Sequence, residues 1–482
     1  MNSTLKVSST IFKSIGALLF ICLSGTAFTQ TVSKESLDDL SVFKAPSKSW
    51  QIAGSVQADI NKTNILSFSK GTGILVNFPD KKNKGEDLYS LAEYGDIDLE
   101  LDYLMASGAN SGIYLQGRYE IQLEENWGLL NPKSVNNGGI YQRWDDSKPE
   151  GQKGYSGFAP RQNVSRAPGL WQKLKISFQA PRFDAAGKKI ANAVMLRIEL
   201  NGVIIHDNVE LSGPTRGSLS DKEAATGPLR LQGDHGAVAF RNIKVTKFDS
   251  PRPTERSTTN ANAVDPIHIG ASENIVLRSF MDLPGLPRVV HAVSVGSPQK
   301  IHYTYDMDNG MLVQVWRGGF LNATPMWHDR GDGSSRPLGM VQGLGKPVQS
   351  IARLSTDQAT WISDTAGTGY KPKGYVLDEN GIPSFLYKTY GIAVNDQSKV
   401  LEMGRGFSRK ITISDQVNDL YFRLADAENI IQTADGMYLI DNQSYYLRLD
   451  DAAGSKPIIR DQNGRKELII PIVKSLSYSI LF

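Results

Sequence analysis

Apolar and polar residues alternate with a period of two through most of the chain, and helical periodicity is nearly absent, so the predicted elements are strands. In the first half the pattern predicts strands at 74–78, 97–104, 113–123, 174–179, 194–200, 203–206, 229–232 and 238–245. Asp96-Ile-Asp-Leu-Glu-Leu-Asp-Tyr103 sets carboxylates on one face and apolar side chains on the other. Asn201-Gly202, between two β-rich runs, reads as a type I′ hairpin turn, because both residues tolerate the positive φ that such a turn requires. The second half repeats the style at 275–280, 300–305, 311–316, 374–377, 384–389, 421–424 and 467–472, without a period that would make it a copy of the first half or a propeller. The expectation is an all-β chain: an antiparallel β-sandwich followed by a second, β-rich domain.

The most informative run is Asn110 to Glu124. Read as one strand, it places Ile113, Leu115, Tyr119, Ile121 and Leu123 on one face and Tyr114, Gln116, Arg118, Glu120, Gln122 and Glu124 on the other. A solvent-facing strand would carry scattered Lys, Thr and Ser. Donors, acceptors and a ring lined up together are the mixture that grips sugar hydroxyls, so this face is a candidate floor for a carbohydrate site. Polar-out alternation is also the default of an antiparallel sheet, and a solvated outer face is the rival reading.

Composition narrows the classes. Lys6 and Lys13, the apolar run 15–23 and small residues up to Ala27 read as a secretory signal peptide cleaved between Ala27 and Gln30. That run is shorter than the roughly 20 residues of a membrane span, and no later segment comes close, so no membrane span is expected. Cys22, the only cysteine, falls inside the leader, and Ile21 before it is not the small residue of a lipoprotein cleavage site, which argues against a lipid anchor. The mature chain then has no thiol for disulfides, nucleophilic catalysis or metal binding. Its net charge, +3 less the two leader lysines, is +1, which does not suit a nucleic-acid partner. The domain organisation reads as signal peptide 1–30, lead-in 31–49, sandwich 50–248, a proline-bearing polar linker 249–265 and a β-rich region 266–482. The expected location is the bacterial periplasm or the exterior.

Four segments of the first half carry a resemblance: Tyr94-Gly-Asp-Ile-Asp-Leu-Glu100, Asn110 to Gln122, Asn163-Val-Ser-Arg-Ala-Pro-Gly-Leu-Trp-Gln172, and Gly227-Pro-Leu-Arg-Leu-Gln-Gly-Asp-His-Gly236 with Phe240-Arg-Asn-Ile243 following. With Pro181-Arg-Phe-Asp184 and the Asn201-Gly202 turn, they resemble the 3-keto-disaccharide hydrolase family over about residues 50–248. The resemblance implies a concanavalin-like or laminin-G-like jelly roll and work on glycosides whose sugar carries a ketone at C3. The second half more loosely resembles a β-rich module of large secreted bacterial sugar-related proteins, through Met311-Leu-Val-Gln-Val-Trp-Arg-Gly-Gly-Phe320 and 374–385, and this implies no chemistry and no particular protein partner.

A 3-keto sugar can be cleaved by removing the acidified C2 proton and expelling the aglycone by β-elimination, with or without rehydration, so its site needs a base, an enolate stabiliser and an acid. Glu120 is the candidate base or ligand-orienting carboxylate, and Arg118 and Arg241 are candidate enolate stabilisers. His235, in a glycine-flanked turn, is the leading acid/base candidate, its ordinary pKa near ~6.5 suiting proton transfer. Asn110, Tyr114, Gln116, Gln122, Tyr141, Trp144, Gln232 and Asp234 complete the candidate substrate contacts. Blander readings stand beside these: a structural turn histidine, a cross-strand Arg118–Glu120 ion pair, a capping Gln232, and aromatics that cover a hydrophobic edge. A divalent metal ion is a candidate cofactor, although only Asp145-Asp146 and Asp234-His235 offer ligand-like spacing. Asn163-Val-Ser165 matches a glycosylation sequon, and Asp306-Met-Asp-Asn-Gly310 resembles part of a calcium loop but suits a hairpin turn better. The favoured reading is an exported 3-keto-glycoside hydrolase or lyase. The alternatives are a non-catalytic carbohydrate-binding protein of the cell envelope and an envelope scaffold.

Overall fold

The computed structural model describes residues 30–248 and 264–482; the leader and nearly all of the linker expected from sequence lie outside the described residues. The chain is all-β, with helix among the described residues confined to Thr324–Trp327 and a 3-10 turn at Glu402–Gly404. No helix among the described residues is long and apolar enough to cross a membrane.

The first half is a jelly-roll sandwich of two antiparallel sheets. One sheet runs, edge to edge, Val203–Leu211, Ala193–Leu200, Gln172–Gln179, Ile97–Met105, Val238–Phe248, Leu66–Asn77 and Trp50–Ala58. The other runs Phe43–Lys44, Leu88–Tyr94, Gly227–Leu231, Asn110–Leu115 and Tyr119–Glu124. Alternation sends Leu99, Phe178 and Phe240 of the first sheet and Ile113, Ile121 and Leu231 of the second into one core. The lead-in is woven into both sheets: Gln30–Lys34 pairs with the 238–248 strand, and Phe43–Lys44 edges the second sheet against Tyr89 and Ser90. Asn201 and Gly202 take φ of 51° and 83° between the paired Leu200 and Val203, the turn expected of them.

One predicted element is corrected. The strand expected at 113–123 is a hairpin whose turn has Gln116 and Gly117 at φ 54° and 65° and is closed by the Arg118 N–H donating to the Leu115 carbonyl at 2.9 Å. The register pairs Gly112 with Gln122, Ile113 with Ile121 and Tyr114 with Glu120. Even-numbered residues thus pair with even, so the two faces read from alternation survive the turn, while Gln116 and Arg118 leave the polar face.

The second half holds sheets of six, four and eight strands. It is tied to the sandwich by side chains of the 162–172 segment. Gln162 donates to the Leu338 carbonyl at 2.9 Å and accepts from the Gly319 N–H at 2.7 Å, and Arg166 reaches Gln342 at 2.7 Å and the Ser444 carbonyl at 2.8 Å. Asp306 to Gly310 forms the expected hairpin turn, Asp306 accepting from the Asp308 N–H and the Asn309 amide.

Candidate active site

Strand pairing sets Tyr89, Arg230, Tyr114 and Glu120 side by side on adjacent strands of the smaller sheet, and cross-strand partners share a face. Above this row lies a cavity of about 430 Å³ lined by Asn110, Tyr114, Glu120, Gln122, Tyr141, Arg216, Gly217, Arg230, Gln232, Asp234 and His235. Eight of these were expected from sequence. The Glu120 carboxylate lies across Gly112, where a β-carbon would stand 2.3 Å from its Oε1, so the missing side chain at 112 makes room for the acid.

Two loops wall the cavity. The 212–219 loop is braced on the hairpin turn: the Thr215 hydroxyl accepts from the Glu120 N–H at 3.1 Å and donates to the Arg118 carbonyl at 3.0 Å, while the Leu219 N–H donates to the Gly117 carbonyl at 2.7 Å. This presents Arg216, whose guanidinium stacks 3.7 Å over the Trp144 ring. The 232–236 turn is held by the Gln232 N–H donating to the Gly112 carbonyl and by Ser111 donating to the Gln232 carbonyl. It carries Asp234 hydrogen-bonded to His235 Nδ1, which leaves Nε2 for a ligand. The buried Oε1 of Gln232 has no protein partner, so a hydroxyl of a bound sugar can supply one.

Glu120 is 2% exposed. Burial pushes its carboxyl up to about 8 from 4.5; the Tyr114 hydroxyl and the Arg230 charge pull the other way, and Asp87 and Asp234 add to the rise. A carboxyl held neutral near neutral pH, able to give or take a proton over a small driving force, is what acid-base chemistry requires.

Four expected contacts are absent. Arg118, in the turn, donates to the Lys222 and Gln116 carbonyls at 2.8 and 2.9 Å. Gln116, left-handed in that turn, spends its amide on the Tyr94 and Ala225 carbonyls. Arg241 follows the core residue Phe240 on the larger sheet, and so points to its outer face, where it bonds Asp102 at 3.1 Å and covers Trp171. Trp144 lies behind Arg216 rather than in the cavity lining. The sequon is closed as well: Asn163 is 6% exposed and its amide donates to the Asn126 and Leu129 carbonyls.

Arg216, Arg230, its partner Asp87 and the space at Gly112 were missed. Arg230 had a readable signal, a charge inside the otherwise apolar run Gly227-Pro-Leu-Arg-Leu231, all of it buried. Arg216 lies in an aperiodic loop and had none. Among the described residues no three His, Cys, Asp or Glu converge as a group that could hold a metal ion.

Residues 43–246 match the family model described as a 3-keto-alpha-glucoside-1,2-lyase-like domain, and every cavity residue falls inside that range. No curated protein matches the chain. Among solved structures, it is similar to two provisionally named glycosyl hydrolases of Parabacteroides distasonis. The first is 21% identical, over 49% of this chain and 94% of that one, with a TM-score of 0.28. The second is 19% identical, over 44% and 98%, with a TM-score of 0.28. The botulinum neurotoxin serotype D binding domain is similar at 8% identity, over 90% and 91%, with a TM-score of 0.22. The family match supports a carbohydrate-active enzyme acting on glycosidic bonds.

Two outcomes are expected. The folded protein keeps a proton on Glu120 that the unfolded chain releases between pH 4.5 and about 8, so the contribution of this group to stability falls through that window. Glu120→Gln removes the penalty; denaturant melts should show the variant gaining on wild type as pH rises, by on the order of 5 kcal/mol above the window, with no further gain below pH 4. Gly112→Ala should fold normally but displace the carboxylate, lowering turnover about 100-fold; unchanged turnover would place the working group elsewhere.

Proposed function

We propose that the protein, whose residues 43–246 match the 3-keto-alpha-glucoside-1,2-lyase-like family model, cleaves the glycosidic bond of 3-keto-glycosides or 3-keto-disaccharides by C2 deprotonation and β-elimination. The observation that carries this reading is the buried Glu120 carboxyl, raised to about 8, on the floor of a polar cavity rimmed by an Asp234–His235 pair and Arg216. The Glu120 carboxylate takes the C2 proton of a bound 3-keto sugar, and the electron pair passes into the enolate of the C3 ketone. Arg216 lies in the cavity wall as a donor toward that developing oxyanion. As the enolate reverts to the ketone, the C1–C2 double bond forms, the C1–O bond breaks and the aglycone oxygen leaves with a proton from His235. The products are the free aglycone and a 1,2-unsaturated 3-keto sugar. Water adding at C1, with a proton returned to C2, turns the elimination into net hydrolysis. The leader read at 1–30 would set this chemistry in the periplasm or outside the cell.

The test uses a chromogenic aryl 3-keto-glucoside and its ordinary 3-hydroxy counterpart, each with and without chelator. Aglycone release is expected from the keto compound alone and should survive the chelator, because without the ketone the C2 proton is many pKa units less acidic. Glu120→Gln and His235→Ala should each slow release about 100-fold or more. Comparable rates on both glucosides would sink the mechanism and leave a conventional glycosidase. Saturable binding of the keto compound without release would make the protein a lectin-like binder.

A further inference from the structure

The proposed reaction gives no step to Asp87, which is absent from the cavity lining, or to Arg230, which lies in it beside Tyr114. The Arg230 guanidinium lies 4.1 Å from the Tyr114 ring centroid and 5.9 Å from that of Tyr89, so the Tyr114 ring lies between it and the neighbouring Glu120 strand. Its Nη2 meets Asp87 Oδ2 at 2.6 Å, and its Nη1 donates to the Gly217 carbonyl at 2.5 Å. Asp87 in turn accepts from the Gly233 N–H at 3.2 Å, in the turn that carries Asp234 and His235. The side chains of Arg230 and Asp87 are only 9% and 21% exposed. Replacing such a buried pair by apolar residues is often neutral or stabilising, so stability alone is a weak reason for it.

We propose that Asp87 and Arg230 are positioning residues that set the protonation of Glu120 with opposite signs, Arg230 favouring its charge and Asp87 opposing it, and so fix the pH range in which the cavity works. The inference rests on the reading of Glu120 as the base. The other groups facing Glu120 are Tyr114 on the paired strand, Asp234 and His235 from the 232–236 turn, and Tyr141 and Arg216 from the wall loops. Asp234 and His235 are 50% and 55% exposed, and Arg216 is exposed too, so water and salt screen their charges. The Asp87–Arg230 pair is mostly buried, where the effective dielectric is lower and salt reaches less, so its charges are screened less than those of the exposed groups.

The experiment measures the ionisation midpoint of Glu120 in wild type, Asp87→Asn, Arg230→Met and Arg230→Lys in two ways. One is the break near pH 8 in the kcat/KM profile on a 3-keto-glucoside. The other needs no activity: the pH dependence of the stability difference between each protein and the same protein carrying Glu120→Gln. Asp87→Asn should lower the midpoint and Arg230→Met raise it, each by about one pH unit, a tenfold change in proton affinity, with little response to salt. Arg230→Lys, which keeps the charge, should stay near wild type. A purely structural pair would move both variants the same way or neither, and either result overturns the proposal. If Arg230→Met does not fold, Asp87→Asn decides alone, since a midpoint that fails to fall refutes it. Opposite shifts in the stability readout without any turnover of 3-keto-glycoside would keep the tuning and reject the proposed reaction; turnover with unmoved midpoints would do the reverse.

Discussion

Burying one carboxyl group is the constraint around which the cavity is built. Glu120 loses its water on a sheet face beside Tyr114, Arg230 and Gly112, under the loop that carries Thr215. Gly112 gives the side chain room, Thr215 satisfies its backbone N–H, and Arg230 sets a positive charge behind the Tyr114 ring. The carboxyl stays protonated further up the pH scale than an exposed glutamate, which costs the fold stability above pH 4.5 and leaves in the cavity a group whose proton affinity lies near neutral pH. A position that weakens the fold in exchange for reactive chemistry is where function is expected to sit.

Much of this was legible in the chain, for a specific reason. A period of two survives a hairpin whenever the register pairs residues of equal parity, so Tyr114, Glu120 and Gln122 could be placed on one face before the turn at Gln116-Gly117 was known. The same logic failed at the turn itself, where left-handed backbone at Gln116 redirects its side chain and that of Arg118 to loop carbonyls. It failed again at Arg241, because alternation gives the face of a strand but not which of two sheets the strand joins. Arg216 reaches the cavity by the bracing of an aperiodic loop, a tertiary contact with no local signature.

The segments that carried the family resemblance divide by task. Asn110 to Gln122 and Gly227 to Gly236 build the cavity, whereas Asn163 to Gln172 anchors the exit of the hairpin and reaches the second half through Arg166. Their shared presence reflects one architecture in which a sandwich positions a small polar face, with the remaining strands supplying the core that holds the register.

The central claim is that Glu120 removes the proton on C2, and a 3-keto-glucoside deuterated at C2 tests it most directly. Wild-type protein should release the aglycone more slowly from the deuterated compound or exchange that deuterium with solvent, and Glu120→Gln should do neither at a measurable rate. Equal rates for both isotopologues without exchange, or exchange that persists in Glu120→Gln, would contradict the account.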